Sequence, residues 1–382
     1  MVDTKYKVPD YVIESILDNV PLSEQIPKYV SLRGDWQKIR EICNYGRDIK
    51  VGVGDTGVDK THMQEGGDLE NVVDAKDFTG SRFGFYDKNM HGSHCTGTIT
   101  ATNKNNNGIV GLTEAPVYHA KVLGDGGSGS SRGIAQGIDW MVAQGCKILS
   151  LSLGGGYDKA IEDACIRADK AGVIIFAAMG NSGGGERSET GGYPGRLKST
   201  VAICAIDYNK NPANFSSRSK DADLTDYGVN TLSLSLNGKY ARISGTSMAT
   251  PCKAGIAALI CNYELIRGNP VKNRVDYMKR IKPFVEDLYK EGFDRATGMG
   301  FFNIADYLEA NPIEEKKPEP KPQPKPEPKK PEPTPVKPPV KAPVKKPGFF
   351  KQYVTLPLIT LYFSSWLIGF FMARLLFLMT GK

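Results

Sequence analysis

The stretch ISGTSMATPCKAGIAALI, residues 243–260, passes from small and hydroxylated residues into an apolar run. It reads as a tight turn at Gly245–Thr246 that enters a buried helix, with Ser247 at the junction. A helix start leaves backbone N–H groups without partners and carries partial positive charge, so an oxygen placed there sits where negative charge is favoured. That suits a nucleophile whose product is an oxyanion, and it equally suits an ordinary capping hydroxyl. Pro251 reads as a first-turn residue, whose missing N–H would have had no partner inside the helix.

Outward from this stretch the chain alternates short apolar runs with amphipathic ones. IKVGVGD, VYHAKVL, CKILSLSL, GVIIFAAM and STVAICAI read as buried strands. HGSHCTGTITA, SSRGIAQGIDWMVAQG and YDKAIEDACIRADKAG read as helices between them, and DWQKIREICNYG as a helix that stops at Gly46. Buried strands separated by helices predict an α/β fold, a parallel sheet covered on both faces, with functional groups at the carboxyl ends of its strands. Asp55 stands at one such end in VGVGDTGVD, Asn181 in the turn after IIFAAM, and His91 just ahead of a helix in HGSHCTGTI. Singly, each has a plain account: a capping Asp or Asn, a satisfied core His. HxxH could be half of a metal site, but only His62 and His119 remain as further histidines.

Together these stretches stand in the Asp–His–Ser order of one acyl-transfer design. With LSLGGG, GGYPGRL, NFSSRS and GTSMATP they resemble the subtilisin-like serine peptidases, most closely the intracellular bacterial branch, over residues 20–308. The resemblance implies a three-layer subtilisin-like fold and a serine endopeptidase acting on polypeptides. It assigns Ser247 as nucleophile, His91 as base, Asp55 as the carboxylate that orients the base, and Asn181 as oxyanion-hole donor, with His94 structural. It places substrate backbone along GDGGSGS, with Gly126 and Gly127, and along Ser152, Leu153 and Gly154. It walls the primary pocket with Ala178, Met179, Gly180 and Gly192. Met179 departs from the small residue usual there, which implies a narrowed pocket or one offered a flexible thioether. Gly54, Cys95–Thr96 and Cys252–Lys253 are further departures, and a thiol-sensitive activity through Cys252 is weighed against a buried inert thiol. Structural Ca²⁺ is implied at Asp68 and at the TNKNNNGIVG loop with Asn105 and Asn107. SEQIPKYVSLRGDW resembles the branch's short inhibitory extension, so residues 1–46 are expected to form an extension whose first thirty or so residues hold the enzyme inactive until cut. The peptidase domain is expected over 47–311. The alternative is a peptide-binding scaffold on the same fold that has lost the chemistry.

Composition sorts the rest. The net charge of +7 resides in the C-terminal part: ten lysines and five glutamates fall in 312–347, and Lys351, Arg374 and Lys382 follow. Residues 1–311 are then close to neutral, which excludes a nucleic-acid footprint. Seven irregularly spaced cysteines, with no CxxC, predict buried reduced thiols. The N-terminus lacks the continuous apolar run of a secretory signal. Residues 312–348 carry fourteen prolines and read as an extended spacer, or as a ligand for proline-binding domains. The uncharged run QYVTLPLITLYFSSWLIGFFMA predicts a membrane span within 352–379. Five lysines ahead of it put the peptidase domain on the cytoplasmic side of a single-pass C-terminal anchor.

Overall fold

The computed structural model describes residues 5–104 and 106–313, with Pro339 besides. The membrane span and most of the proline-rich spacer lie outside the described residues, and among the described residues no helix is long and apolar enough to cross a membrane.

Numbered in chain order, two short strands come first, β1 (Lys5–Lys7) and β2 (Val12–Leu17). Helices α1 (Lys28–Ser31) and α2 (Trp36–Ile42) lead to β3 (Val51–Asp55) and β4 (Val72–Asp77). Then come α3 (His91–Thr100), β5 (Val117–Lys121), β6 (Ser128–Ser130) and α4 (Ser131–Ala143). They are followed by β7 (Ile148–Leu151), α5 (Lys159–Lys170), β8 (Ile174–Ala178) and β9 (Val201–Ile206). β10 (Leu224–Tyr227), β11 (Thr231–Leu234) and β12 (Tyr240–Ser244) precede α6 (Thr246–Ile266). α7 (Arg274–Ile281), β13 (Val285–Glu286), β14 (Phe301–Phe302) and α8 (Ile304–Ala310) close the domain. The strands and helices anticipated over residues 35–206 are all present.

Nine strands form the main sheet in the order β13-β14-β10-β9-β8-β7-β3-β5-β4. All neighbours are parallel except the β13–β14 edge pair. Alternate side chains go to opposite faces: Val51, Val53, Ile148, Ile174 and Phe176 join α6 in one core, whereas Leu149, Leu151, Ile175 and Ala177 join α4 and α5 in the other. Gly52 and Gly54 explain themselves here. A Cβ on Gly52 would stand 2.5 Å from Leu149 and 2.6 Å from Met141, and one on Gly54 2.8 Å from Leu151. Strand order reverses direction at β3, so the crevice of the fold opens at the carboxyl ends of β3 and β7.

Helix α6 is buried along nearly its whole length, from Thr246 to Glu264. Because it begins at Thr246, Pro251 lies in its second turn, not its first. The missing N–H is one that would have bonded to the Ser247 carbonyl. That carbonyl is served instead by Ser152 Oγ at 2.8 Å and by Cys95 Sγ at 3.5 Å. Two turns of surrounding sequence cooperate in the same way at Lys253, where the buried ammonium lies 3.0 Å from Asp226 and Arg33 bonds the carboxylate's other oxygen. This ion cluster ties the segment after α1 to β10 and α6.

Ser152→Ala leaves the Ser247 carbonyl with only a thiol donor and is expected to cost about 1–3 kcal/mol in chemical denaturation. In a Pro251→Ala chain, where the amide is restored, the same change is expected to cost less than half as much; an equal loss in both chains would refute this account of the proline.

Candidate active site

Asp55 ends β3 fully buried, its Oδ1 accepting the Thr56 N–H at 2.7 Å and lying 2.8 Å from His91 Nδ1. Burial by itself raises a carboxyl pKa, yet His91, His119 and the Thr56 amide hold Asp55 below the ordinary value. His91 is placed as the first residue of α3. That helix is started by Asp87, which the sequence reading missed: its Oδ1 accepts from Asn89 N and Met90 N, and its Oδ2 from Ser93 N and Oγ. Thr56 Oγ1 donates to Asp87 and accepts from Gly92 N, so the Asp55 turn and the α3 start are one hydrogen-bonded unit. A second polar pair was also missed. His119 Nε2 accepts the Gly57 N–H at 3.1 Å and its Nδ1 meets Thr96 Oγ1 at 3.0 Å, bracing the same turn from behind. A Thr and a His 23 residues apart give no sign of this in sequence, because the contact needs the β3–β5 pairing.

Ser247 lies in the first turn of α6, its Oγ donating to Ser152 O at 3.5 Å. His91 Nε2 is buried without a hydrogen-bond partner among the described residues, so the serine–imidazole bond is open in this conformation. Cys95 touches both groups, with Sγ 3.9 Å from His91 Nδ1 and 3.5 Å from the Ser247 carbonyl. Burial pushes its thiol far above the ordinary range, so it packs as a neutral group. Cys252, which the sequence singled out, is buried in the main core beside the Asp226 cluster. All seven thiols are free and buried.

The Asn181 amide is fixed from one side. Its Oδ1 accepts from Thr246 N and Thr246 Oγ1, both at 2.8 Å, which turns Nδ2 outward. That Nδ2 donates to the carbonyl of Asp10 at 2.6 Å. The N-terminal segment therefore passes through the site. β1 pairs antiparallel with β6, Lys7 exchanges two hydrogen bonds with Gly154, and Val8 N donates to Gly127 O. Tyr6 is fully buried with its hydroxyl on Gly156 O, and the Tyr11 ring lies 5.2 Å from the His91 ring. The proline at the site is thus Pro9. The stretch around Pro27, on which the sequence reading placed the inhibitory role, instead buries Tyr29 and Val30 in the main core.

Of the other anticipated residues, Gly127 and Gly154 bind this strand, whereas Gly126 makes none of these bonds. Ser152 faces Ser247, and Leu153 is a core residue. Gly192 N donates to Met179 O, and Gly180 N to Thr246 Oγ1. The Met179 side chain turns into a small core with Ala202, Cys204 and Ala222, where the absence of a Cβ at Gly191 makes room for its sulfur. It therefore does not project as the narrowing or flexible thioether that the sequence implied.

Asp68 is buried, with Oδ2 accepting from Tyr240 at 2.8 Å and 3.3 Å from His62 Nδ1. Its Oδ1 has no hydrogen-bond partner among the described residues, and Gly108 of the Asn-rich loop packs against the carboxylate. Asn107 Nδ2 is turned to Asn19, and Asn105 lies outside the described residues. An open buried carboxylate oxygen fits a hard cation; the Asn107 contact does not add to it.

A buried carboxylate–imidazole pair, a serine on a helix start and an outward amide donor converge at one crevice. The model of the Subtilase family matches residues 46–300. The chain belongs to the subtilase family. It is 42% identical over 260 residues to Subtilisin Savinase of Lederbergia lenta, covering 68% of this chain and 90% of that protein. It is 38% identical over 266 residues to the Major intracellular serine protease of Bacillus subtilis (strain 168), covering 67% and 80%. Subtilisin DY of Bacillus licheniformis is 36% identical over 233 residues, covering 60% and 83%. This subtilase is a serine endopeptidase.

His94 and His119 are both held neutral by burial, with pKa values lowered from 6.5 to about 3 and about 4. The unfolded chain takes up protons at these sites below 6.5 while the folded chain does not. Stability present above that pH is therefore lost as pH falls toward 4, by up to about 1.4 kcal/mol per unit for each histidine. Denaturation midpoints between pH 7 and pH 4 check this, and His119→Asn is expected to flatten the slope.

Proposed function

We propose that this subtilase cleaves polypeptides through Asp55, His91 and Ser247, and that its own N-terminal segment holds it inactive. The observation that carries the reading is the Asp10 carbonyl on the Asn181 amide, at the mouth of the buried Asp55–His91 pair. In a productive complex a substrate carbonyl takes the place of the Asp10 carbonyl. Ser247 Oγ attacks its carbon while His91 Nε2 accepts the hydroxyl proton, and Asp55 stabilises the resulting imidazolium. Asn181 Nδ2 and the Ser247 N–H, which has no partner within the first turn, receive the oxyanion. His91 then passes the proton to the leaving amine, and water repeats the sequence on the acyl-enzyme.

The segment around Asp10 occupies the same place without supplying a productive bond. Pro9 lacks the N–H that a substrate strand would donate at its position, and Ser247 Oγ stays on Ser152. Residues 18–27, between β2 and α1, include the highly exposed Leu22 and half-exposed Ile26, which suits a release cut there.

Two further assignments belong to this reading. Asp68, through its open Oδ1, is the residue of the anticipated three that would hold a structural Ca²⁺; such an ion would neutralise the buried carboxylate and stiffen the Gly108 loop. The uncharged 352–373 run beyond a proline-rich spacer supports tethering of the peptidase domain to a membrane from its cytoplasmic side. A spacer of this composition reaches about 3.1 Å per residue.

A fluorophosphonate probe tests the chemistry. The intact chain is expected to label slowly at Ser247, a Tyr6→Ala chain at least tenfold faster, and a Tyr6→Ala/His91→Ala chain not at all. Equal rates for the first two chains would remove the inhibitory role of the segment. No labelling in any chain would favour the scaffold reading, a peptide-binding protein without catalysis.

A further inference from the structure

The N-terminal strand does not stop at Asp10. Beyond it, β2 pairs antiparallel with β12 over Val12↔Ser244, Ile13↔Ile243, Ser15↔Arg242, Ile16↔Ala241 and Leu17↔Tyr240, with a register shift between Arg242 and Ile243. β12 runs straight into Gly245–Thr246–Ser247, and its other edge is taken by β11. One edge of β12 therefore begins at the nucleophile and leads away from it on the leaving-group side.

β2 is held there by main-chain pairing and charge, not by burial. None of its residues is buried, and Val12, Ile13 and Ile16 are about half exposed, at 54%, 46% and 55%. The polar contacts are all of one sign. Within the strand Ser244 Oγ donates to Glu14 at 2.6 Å; just beyond it Lys239 Nζ lies 2.8 Å from Asp18, and further along the segment Arg242 lies 2.6 Å from Glu24. A strand attached in this way is exchangeable for another with the same backbone reach and charge pattern.

We propose that β12 is a docking edge for the leaving-group side of polypeptide substrates. It engages the eight residues that follow the cleaved bond, the places held by Tyr11–Asp18, and it favours acidic residues at the fourth and eighth of them through Ser244 and Lys239, with the Arg242 guanidinium adding positive charge on the same strand. The substrate class is an extended, unfolded, acid-bearing polypeptide segment, because a folded chain cannot lend eight successive residues to a sheet edge. This rests on the endopeptidase reading of the site.

The test uses full-length Tyr6→Ala and, beside it, full-length Ile13→Pro, which takes β2 off β12 by a different route. Three quenched-fluorescent peptides share one acyl side. The first has two residues after the cleaved bond, the second has eight with Glu at the fourth and eighth, and the third has eight with Lys at those places. kcat/KM is expected to rise at least tenfold from the first to the second, and the third to fall at least fivefold below the second. Lys239→Glu/Arg242→Glu in either background is expected to reverse the Glu/Lys order. Equal kcat/KM for all three peptides would overturn the proposal while leaving the peptidase intact. If no peptide is cleaved, the catalytic reading fails instead. The docking edge is then judged by fluorescence anisotropy with the same labelled peptides, where tighter binding of the Glu peptide supports it and equal binding overturns it.

Discussion

The site depends on how closely the Asn181 amide approaches the chain at Gly245. A Cβ there would stand 3.0 Å from Asn181 Nδ2 and 3.5 Å from Tyr11, so any larger residue crowds the amide out of its place by a few tenths of an ångström. Gly245 itself is extended, and the constraint is space, not backbone conformation. With the amide seated, Thr246 holds its oxygen twice, and Ser247 follows at the start of a helix buried as far as Glu264. The second-turn proline and its hydroxyl substitute from Ser152 then bind the α6 start to the stretch just after β7. Ser247, the Asn181 amide and the Ser152–Gly154 stretch, the groups proposed to act in catalysis and binding, are thereby positioned by one set of contacts.

The segment that fills this crevice pairs with β6, Gly127, Gly154, the Asn181 amide and β12. Its grip divides into two unlike parts. Tyr6 buries a large side chain and satisfies its hydroxyl, whereas β2 contributes backbone pairing, and the exposed ion pairs of Asp18 and Glu24 after it are each worth little on their own in water. The strong part lies at β1 and the weak part at β2. This division is what the proposed inhibition and the proposed later use of the β12 edge both require.

Much of the architecture was legible in the sequence because buried parallel strands are short apolar runs and their helices carry clear periodicity. The places of Asp55, His91, Asn181 and Ser247 at strand and helix ends were legible, whereas the roles expected of them came from the subtilisin-like resemblance of their motifs. What escaped was set by long-range register. Asp87, the Thr96–His119 pair and Cys95 matter through contacts across β3, β5 and α6 that no local pattern announces. Pro251 was placed one turn too early because the helix boundary was read from residue types instead of from the carbonyl that loses its donor. The inhibitory stretch was sought around Pro27, whereas the strand that reaches Asn181 carries Pro9. Tyr29 and Val30 look like any apolar pair until the core that covers them is known.

The central claim is that residues 6–17 of the intact chain lie hydrogen-bonded through the active-site crevice. Hydrogen–deuterium exchange of the full-length Ser247→Ala chain tests it directly. The account predicts strong protection of amides in 6–8, weaker but clear protection in 12–17, and loss of protection in both 12–17 and 240–244 on Ile13→Pro. Exchange of residues 6–17 at the rate of an unstructured peptide, with 240–244 unaffected by the proline, would contradict it.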